Sequence, residues 1–449
     1  MARPPFSRAL IALTLAAACT WAWACTSAGR DAAARLPPGE RARIEAFRSD
    51  LEEARALLGI GRVSVAVVRD GRAEWTAALG GGDALASFPL GELTETFTAI
   101  AALRLESRGT LRLDAPVADL DPSFPGPRTV LVRHLLSHTS EETPGTTFHF
   151  ESGEFARLTG LLASASGKSF AALLEDEVLR PAGLAESHAT RPAPGLTAAA
   201  GLSSNVRDLA RLEAALLGDA LLAPDAIRRM TSPTYTPNGF LPYGLGWFVT
   251  WSLDERMIWA FGESPEASSL FFRLPDRGLA LILLAEGPGL ARPFHLARAN
   301  PLRSPFVLAF LRRFAPLGEE ARRLLAIDTL VDRALALQWK GDSGAAAAFR
   351  AALASRGAFA AADPALLAAL ARTSETDLLA AGETIGRQVQ AGGWDNARTL
   401  LDLAILDLRA GRSEAAADKL RGLLARPNLR SAPLLAEARR LLEAAAPAR

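Results

Sequence analysis

The pattern of hydrophobic and polar positions predicts a mixed α+β segment followed by an all-helical one. Two runs of strand character meet at Asp70-Gly71, a dipeptide typical of hairpin turns. Helical patterns fill the middle of the segment, and strand patterns return near its end. We therefore predict an antiparallel sheet that combines both ends of this segment and carries helices on its faces.

The individual elements can be assigned from the same pattern. The predicted helices cover residues 44–58, 94–107, 129–137, 155–165, 170–178 and 206–217. The predicted strands of the second half cover residues 244–251, 257–261, 268–274 and 279–284.

From residue 316 onward the chain changes to Ala- and Leu-rich helical patterns with short Gly-containing breaks. The turns at Gly341 and Gly411 resemble each other and lie 70 residues apart, close to two tetratricopeptide periods of about 34 residues. The intervening unit at 373–386 matches poorly. Two predictions stay open: a helical-hairpin repeat that binds a protein partner, and a helical bundle that caps the first domain.

The N-terminal segment has the features of an export signal. Basic residues precede a short apolar run at 9–18, which is too short for a spanning helix of about 20 residues. Cys19 follows three alanines, as in a bacterial lipoprotein site, and Cys25 follows a small-x-small site for ordinary cleavage. We predict a periplasmic or membrane-anchored bacterial lipoprotein, with simple cleavage and an uncleaved membrane anchor as alternatives.

Charge and cysteine content exclude several classes of function. The chain has 50 basic and 49 acidic side chains, so it lacks the basic surface of a nucleic-acid-binding protein. The two cysteines lie in the predicted leader or directly after it, which excludes a disulfide framework or a cysteine metal cluster in the body. No nucleotide-binding motif occurs. We therefore predict no nucleic-acid partner, no cofactor and no metal.

Several sequence blocks, in order, resemble class C β-lactamases and related penicillin-binding esterases over about residues 45–312. They are PLGELTETFTAIAALRLESRGTLRLDAPV, VRHLLSHTS, PGTTFHFESGEFARLTGLLASASGKSFAALLEDEVLRPAGL, AAAGLSSNVRDLARLEAALL, YGLGW and LPDRGLALILLAEG. The resemblance implies a β-lactamase/DD-peptidase-like fold and a serine that is acylated. It also implies a lysine one turn later, a proton-shuttling tyrosine and a Lys- or His-x-Gly strand.

The positions that carry this chemistry hold other residues here. Glu92 stands at the serine position and Glu95 at the lysine position. The Tyr-x-Asn place and the strand place hold Phe150, Glu151, Ser152, Ala260 and Gly262. Only Lys168 lies in this domain, and no Ser-x-x-Lys triplet occurs there, so a shifted alignment does not restore the mechanism.

These replacements lead to a first hypothesis, an inactive pseudoenzyme that binds an unknown small-molecule ligand or scaffolds a partner at the cell envelope. The domain boundaries that follow are a signal peptide at 1–24, a linker at 25–44, a β-lactamase-like domain at 45–315 and a helical region at 316–449.

The alternative is a hydrolase with relocated chemistry. Glu92 and Glu95 form a candidate acid–base pair, His149 a candidate base, and Ser152 or Ser204 a candidate nucleophile. The structural interpretation of each is simpler: surface charge at a helix start, a packed histidine and a loop cap.

A third hypothesis is a cation or cationic-ligand site at Glu92, Glu95 and Glu151, because hard cations prefer carboxylate oxygens. His134 and His138 are four residues apart, a spacing that also suits zinc. We interpret this pair as structural, because the HLLSHTS block is a helix end in the resembling family.

Overall fold

The computed structural model describes residues 37–348 and 397–445, except 191–194, 219, 237–238, 254, 343, 345–346, 427–428 and 430–431. The predicted signal peptide with Cys19, most of the predicted linker and the poorly matching unit at 373–386 lie outside the described residues. Among the helices of the described part, none is long and apolar enough to cross a membrane.

The strands form a six-stranded antiparallel sheet with two small additional sheets. Its strands, in chain order with the short ones, are β1 Val63–Arg69, β2 Arg72–Leu79, β3 Phe88–Pro89, β4 His188–Ala189, β5 Leu202–Ser204, β6 Thr234–Thr236, β7 Gly239–Leu241, β8 Phe248–Ser252, β9 Glu255–Glu263, β10 Ala267–Leu274 and β11 Leu279–Glu286. The large sheet has the order β2-β1-β11-β10-β9-β8.

The predicted pairing of the two ends of the domain is confirmed. Strand β1 lies between β2 and β11, with Val63 opposite Ala285 and Arg69 opposite Leu279. Alternate side chains of β1 enter different cores: Val65 on one face of the sheet and Ala66 on the other. Because both faces are covered, β10 and β11 are buried along almost their whole length.

The helices are α1 Pro38–Leu58, α2 Thr94–Ser107, α3 Val117–Leu120, α4 Val132–Leu136, α5 Ser152–Ala156, α6 Leu158–Ser166, α7 Phe170–Leu174, α8 Val206–Leu217, α9 Pro224–Met230, α10 Pro305–Phe314, α11 Glu319–Trp339, α12 Ala397–Arg409, α13 Ser413–Leu424 and α14 Ala432–Ala445. Helices α2 and α8 have the predicted bounds.

Other helix predictions need correction. Helix α1 begins inside the predicted linker, because Pro38 occupies the first helical position, where its fixed φ and missing N–H are tolerated. The segment predicted at 155–165 is two helices, α5 and α6, and α7 continues as a π-helical turn at Glu175–Leu179. The helix predicted at 129–137 is shorter, because only α4 is helical there.

The helices after residue 316 share a core with the sheet. Leu325 and Leu335 of α11 and Leu403 and Leu406 of α12 belong to the same buried cluster as one face of the sheet. Helices α12, α13 and α14 also form a smaller cluster of their own. Helices α11 and α12 therefore cap the first domain, which is one of the two alternatives, while a tetratricopeptide-like repeat stays a prediction.

Candidate functional site

The candidate site lies where strand β9 packs against the N-terminus of helix α2, called the helix entrance below. A 3₁₀ turn at Gly91–Leu93 leads into α2, so Glu92 lies in the turn and Glu95 in the first helical turn. Gly262 makes this contact sterically feasible, since a Cβ there would lie 2.0 Å from the Leu90 carbonyl oxygen and 2.5 Å from the Glu92 nitrogen. The last residue of β9, Glu263, thereby reaches the helix entrance.

The carboxylate of Glu92 is held by backbone N–H groups. The N–H of Glu263 donates to Oε2 at 2.9 Å, and the N–H of Glu92 itself donates to the same carboxylate. Ser152 Oγ lies 3.4 Å from Oε1. Two converging backbone donors are the arrangement that stabilises an oxyanion in acyl-transfer enzymes. Here a side chain of the protein occupies that place.

Burial raises the pKa of Glu92 from 4.5 to about 7. The two backbone hydrogen bonds favour the charged form and lower the pKa, but desolvation is the larger effect. Coulomb repulsion from the carboxyl groups of Glu95 and Glu263, when these are ionised, raises it further. The carboxyl group of Glu92 is therefore poised to exchange a proton near neutral pH.

Glu95 is completely buried behind Glu92, with its side chain 1% exposed. Its Oε2 accepts hydrogen bonds from Tyr243 OH at 3.1 Å and from His138 Nε2 at 2.9 Å. The Nδ1 of His138 accepts from the backbone N–H of Glu151 at 3.1 Å, so a neutral His138 carries its proton on Nε2. The Oε1 of Glu95 has no hydrogen-bond partner among the described residues.

Burial dominates the protonation of the inner cluster, which consists of Glu95, His138 and Tyr243. Desolvation raises the pKa of Glu95 well above its ordinary value, although the Tyr243 hydroxyl lowers it. Desolvation also lowers the pKa of His138 to about 3 and raises the pKa of Tyr243. These directions favour an uncharged glutamic acid, a neutral imidazole and a neutral phenol. Glu95, which stands at the lysine position, therefore provides neither a positive charge nor a proton acceptor.

Aromatic rings pack around the inner cluster. The ring of Phe150, at the tyrosine position, lies 4.6 Å from the His138 ring and offers no hydroxyl. Phe148 stacks on Tyr243 with ring centroids 5.6 Å apart, and Phe248 contacts Tyr243 at 4.7 Å. Aromatic packing therefore surrounds His138 and Tyr243 on this side of the site.

The loop between α4 and α5 carries a second His–carboxylate pair. His149 Nδ1 lies 2.7 Å from Oε2 of Glu141, and both side chains are buried. The next residue, Glu142, faces the C-terminal helices: its carboxylate accepts from the backbone N–H of Ala397 at 3.1 Å and from Arg426 at 2.7 Å. Glu142 adopts a positive φ of 56°, a strained conformation for a residue other than glycine.

The other predicted residues divide between the site and its surroundings. Glu151 caps α5 by accepting from Gly153 N, and its backbone, rather than its carboxylate, binds His138. Ala260 is buried in the core on one side of β9. Ser204 lies elsewhere, with its Oγ 2.7 Å from Ser187 Oγ.

No cluster of three His, Cys, Asp or Glu suited to a metal ion occurs in the described part of the chain. Of the two histidines interpreted as structural, His138 hydrogen-bonds the buried carboxyl group of Glu95. His134 is structural, because its Nδ1 accepts from the N–H of Leu131 at the start of α4.

Sequence reasoning missed His138 and Tyr243 as site residues. Tyr243 was treated only as part of the YGLGW block, yet its hydroxyl binds Glu95. The signal that would have found them is the burial of Glu95. A carboxyl group in the first turn of an apolar helix needs polar partners, and histidine and tyrosine are rare in this chain.

Comparison with known proteins agrees with this geometry. The β-lactamase family profile matches residues 47–302, more than half of the chain. PbpX of Bacillus subtilis (strain 168), named as a penicillin-binding protein, is 21% identical over 216 residues, which are 37% of this chain and 54% of PbpX. Penicillin-binding protein 4* of the same organism is 24% identical over 272 residues, 44% of this chain and 60% of that protein. The chain thus spans little more than half the length of these relatives.

Solved structures show the same fold. The penicillin-binding protein homologue from Pyrococcus abyssi superposes with a TM-score of 0.54 at 18% identity, over 63% of this chain and 81% of that one. A D-amino acid amidase from Ochrobactrum anthropi SV3 superposes with a TM-score of 0.51 at 19% identity, over 60% and 99% of the two chains. With the α+β architecture and the profile match, these likenesses lead to one conclusion: the chain belongs to the β-lactamase family.

Proposed function

We propose that this β-lactamase-family domain is a pseudoenzyme that binds a ligand without forming an acyl-enzyme. The observation that carries the proposal is the position of the Glu92 carboxylate, held by the backbone N–H of Glu263 and by its own N–H. A substrate carbonyl would need these same two donors to stabilise its developing negative charge.

The chemistry of the two replaced positions argues in the same direction. Acyl transfer needs a hydroxyl nucleophile and a neighbour that accepts its proton. Glu92 supplies no hydroxyl, and the buried Glu95 already accepts two hydrogen bonds. When Glu92 ionises, its charge also repels an anionic substrate or oxyanion from the helix entrance. A neutral or cationic ligand is therefore favoured over an acidic one.

A second candidate function rests on Ser152. Its Oγ lies 3.4 Å from Glu92 Oε1, and a carboxylate with a pKa of about 7 suits a general base. This hydrolase is the weaker candidate, because the carboxylate that would act as its base also fills the pair of backbone donors. Glu92 therefore cannot act as the base while it leaves the two backbone donors open to a substrate oxyanion.

Covalent labelling distinguishes the two candidates. The full chain is incubated with a fluorophosphonate and a fluorescent penicillin, and its intact mass is measured beside a β-lactamase as positive control. We expect no adduct. An adduct that disappears in Ser152→Ala would overturn the pseudoenzyme proposal, and ester hydrolysis lost in both Ser152→Ala and Glu92→Gln would establish the second candidate.

We also propose that the protein works outside the cytoplasm, at the bacterial cell envelope. The relatives named as penicillin-binding proteins and the predicted export signal support this location. A lipid on Cys19 would tether the chain to the membrane. Metabolic labelling with an alkyne fatty acid tests the tether: we expect label in the wild type and none in Cys19→Ser, with Cys25→Ser as the matched control.

The C-terminal helices are proposed to bind a protein partner or to scaffold an assembly. Support comes from the separate cluster that α12, α13 and α14 form beyond the core of the sheet. A photo-crosslinking residue placed on α13 of the full chain, with one on α1 as control, tests this in envelope fractions. Crosslinks from α13 are expected, and equal crosslinking from both helices would contradict a specific interface.

A further inference from the structure

Three exposed aromatic side chains form one surface patch beside strand β8, the edge strand of the large sheet. The aromatic patch consists of Tyr235 on β6, Phe240 on β7 and Trp251 on β8, which are 73%, 50% and 48% exposed. Tyr235 and Phe240 are direct cross-strand partners, so their side chains lie on the same face. The rings of Phe240 and Trp251 meet edge to face with centroids 5.7 Å apart.

The patch is not part of a general scatter of exposed apolar groups. The other large exposed apolar side chains of the described part, Leu120, Leu217 and Trp339, lie singly on three different helices. The apolar area presented by the three aromatics is roughly 350 Å², taking about 200 Å² for each full side chain. A stable protein dimer needs about 800 Å² per partner, so the patch alone is too small for a second copy of this chain.

The chemistry of the patch suits the headgroup layer of a bilayer. Tyrosine and tryptophan each combine an apolar ring with a polar end and are enriched at membrane–water interfaces. The charged residue opposite Trp251 is Arg256, which is paired with Asp276 at 3.0 Å. The positive charge beside Trp251 is thus neutralised by its partner, so we expect insertion that does not depend on anionic lipid.

The chain before α1 is long enough to allow this contact. A tether from Cys19 to Pro37 spans up to about 60 Å when extended. The sheet between strands β2 and β8 is about 24 Å wide. We propose that the aromatic patch is a membrane-docking surface that inserts into the headgroup layer of a phospholipid bilayer. The proposal rests on the extracytoplasmic location proposed above.

Fluorescence quenching by brominated lipid tests the proposal on the full chain. The chain is mixed with phosphatidylcholine vesicles with or without bromine on the acyl chains, and tryptophan fluorescence is compared among the wild type, Trp251→Phe and Trp339→Phe. Trp339 is 42% exposed and distant in sequence, which makes it a matched control. We expect Trp251→Phe to lower the total quenching by about the contribution of one tryptophan. We expect Trp339→Phe to leave the quenching unchanged.

Further measurements make the result decisive. The double variant Tyr235→Ser/Phe240→Ser should fold normally, because both side chains are exposed, and should reduce the quenching of Trp251 at least twofold. The quenching should be unchanged between 50 and 500 mM salt. The proposal is overturned if Trp251 and Trp339 contribute equally, or if sedimentation shows a dimer that the double variant dissociates. Because vesicle binding needs neither export nor acylation, its failure would leave the tests of the proposed function unaffected.

Discussion

Replacing Glu92 by glutamine tests whether the ionised carboxylate of Glu92 lowers the stability of the folded protein. Glutamine has nearly the same shape, and its amide oxygen can still accept the hydrogen bond from Glu263 N–H. The substitution therefore removes the ionisable group while keeping the packing and the backbone contact. Its effect on stability reports the cost of ionising a buried glutamate.

The size and sign of the effect follow from the raised pKa. Between pH 4.5 and about 7 the folded protein holds the proton more tightly than the unfolded chain, so the free energy of unfolding falls as the pH rises through this window. Each pKa unit corresponds to about 1.4 kcal/mol. The displacement from 4.5 to about 7 thus corresponds to roughly 3 kcal/mol of lost stability at pH 8.

Urea denaturation at pH 4.5, 6 and 8 measures this difference, with the fluorescence of the buried Trp247 and Trp259 reporting on the domain core. We expect Glu92→Gln to equal the wild type at pH 4.5 and to exceed it by up to about 3 kcal/mol at pH 8. Glu266→Gln, which changes an exposed carboxylate nearby, should show no pH-dependent gain. A Glu92→Gln variant less stable than the wild type at pH 8 would refute the reasoning.

Further substitutions have definite expected outcomes in denaturation experiments. Gly262→Ala should destabilise the domain by about 3 kcal/mol or more, because its Cβ would strike the backbone of the helix entrance. Gly160→Ala, in open space on a helix, should be neutral or stabilising. Glu142→Ala and Arg426→Ala should each cost about 3 kcal/mol, and the double variant should cost less than their sum, since each removes the same ion pair. Tyr243→Phe should cost about 1 kcal/mol by deleting the hydroxyl that donates to Glu95.

The hydrophobic pattern predicted much of the fold because burial is periodic in the regular elements. Helix α2 was predicted with its observed bounds although nearly all of it is buried, since its length and the glycine after it are local signals. The pairing of β1 with β11 followed from where strand patterns occur along the chain. Helix α1 was predicted too short because Pro38, Gly39 and Glu40 are polar or helix-breaking in the interior but tolerated in a first turn.

The replaced positions Glu92 and Glu95 could be located from sequence blocks, but their hydrogen bonds could not. Whether the Glu92 side chain meets Glu263 N–H depends on how closely β9 approaches the helix entrance. The contact of His138 with Glu95 could not be predicted either, because the two residues are 43 positions apart and His138 adopts a left-handed backbone conformation with φ 53°.

The neighbours Glu141 and Glu142 join two parts of the molecule through a single peptide bond. Glu141 fixes the imidazole of His149 beside the inner cluster, while Glu142 is anchored by Ala397 at the start of α12 and by Arg426 just after α13. A molecule that displaced those helices would leave the carboxylate of Glu142 buried without its partners. The loop that carries Glu142 would then rearrange to expose this carboxylate to water. By thermodynamic linkage, a ligand that changes the loop conformation at the candidate site must change the free energy of docking of the C-terminal helices by the same amount. The loop would thus couple binding at the C-terminal helices to the arrangement of the candidate site.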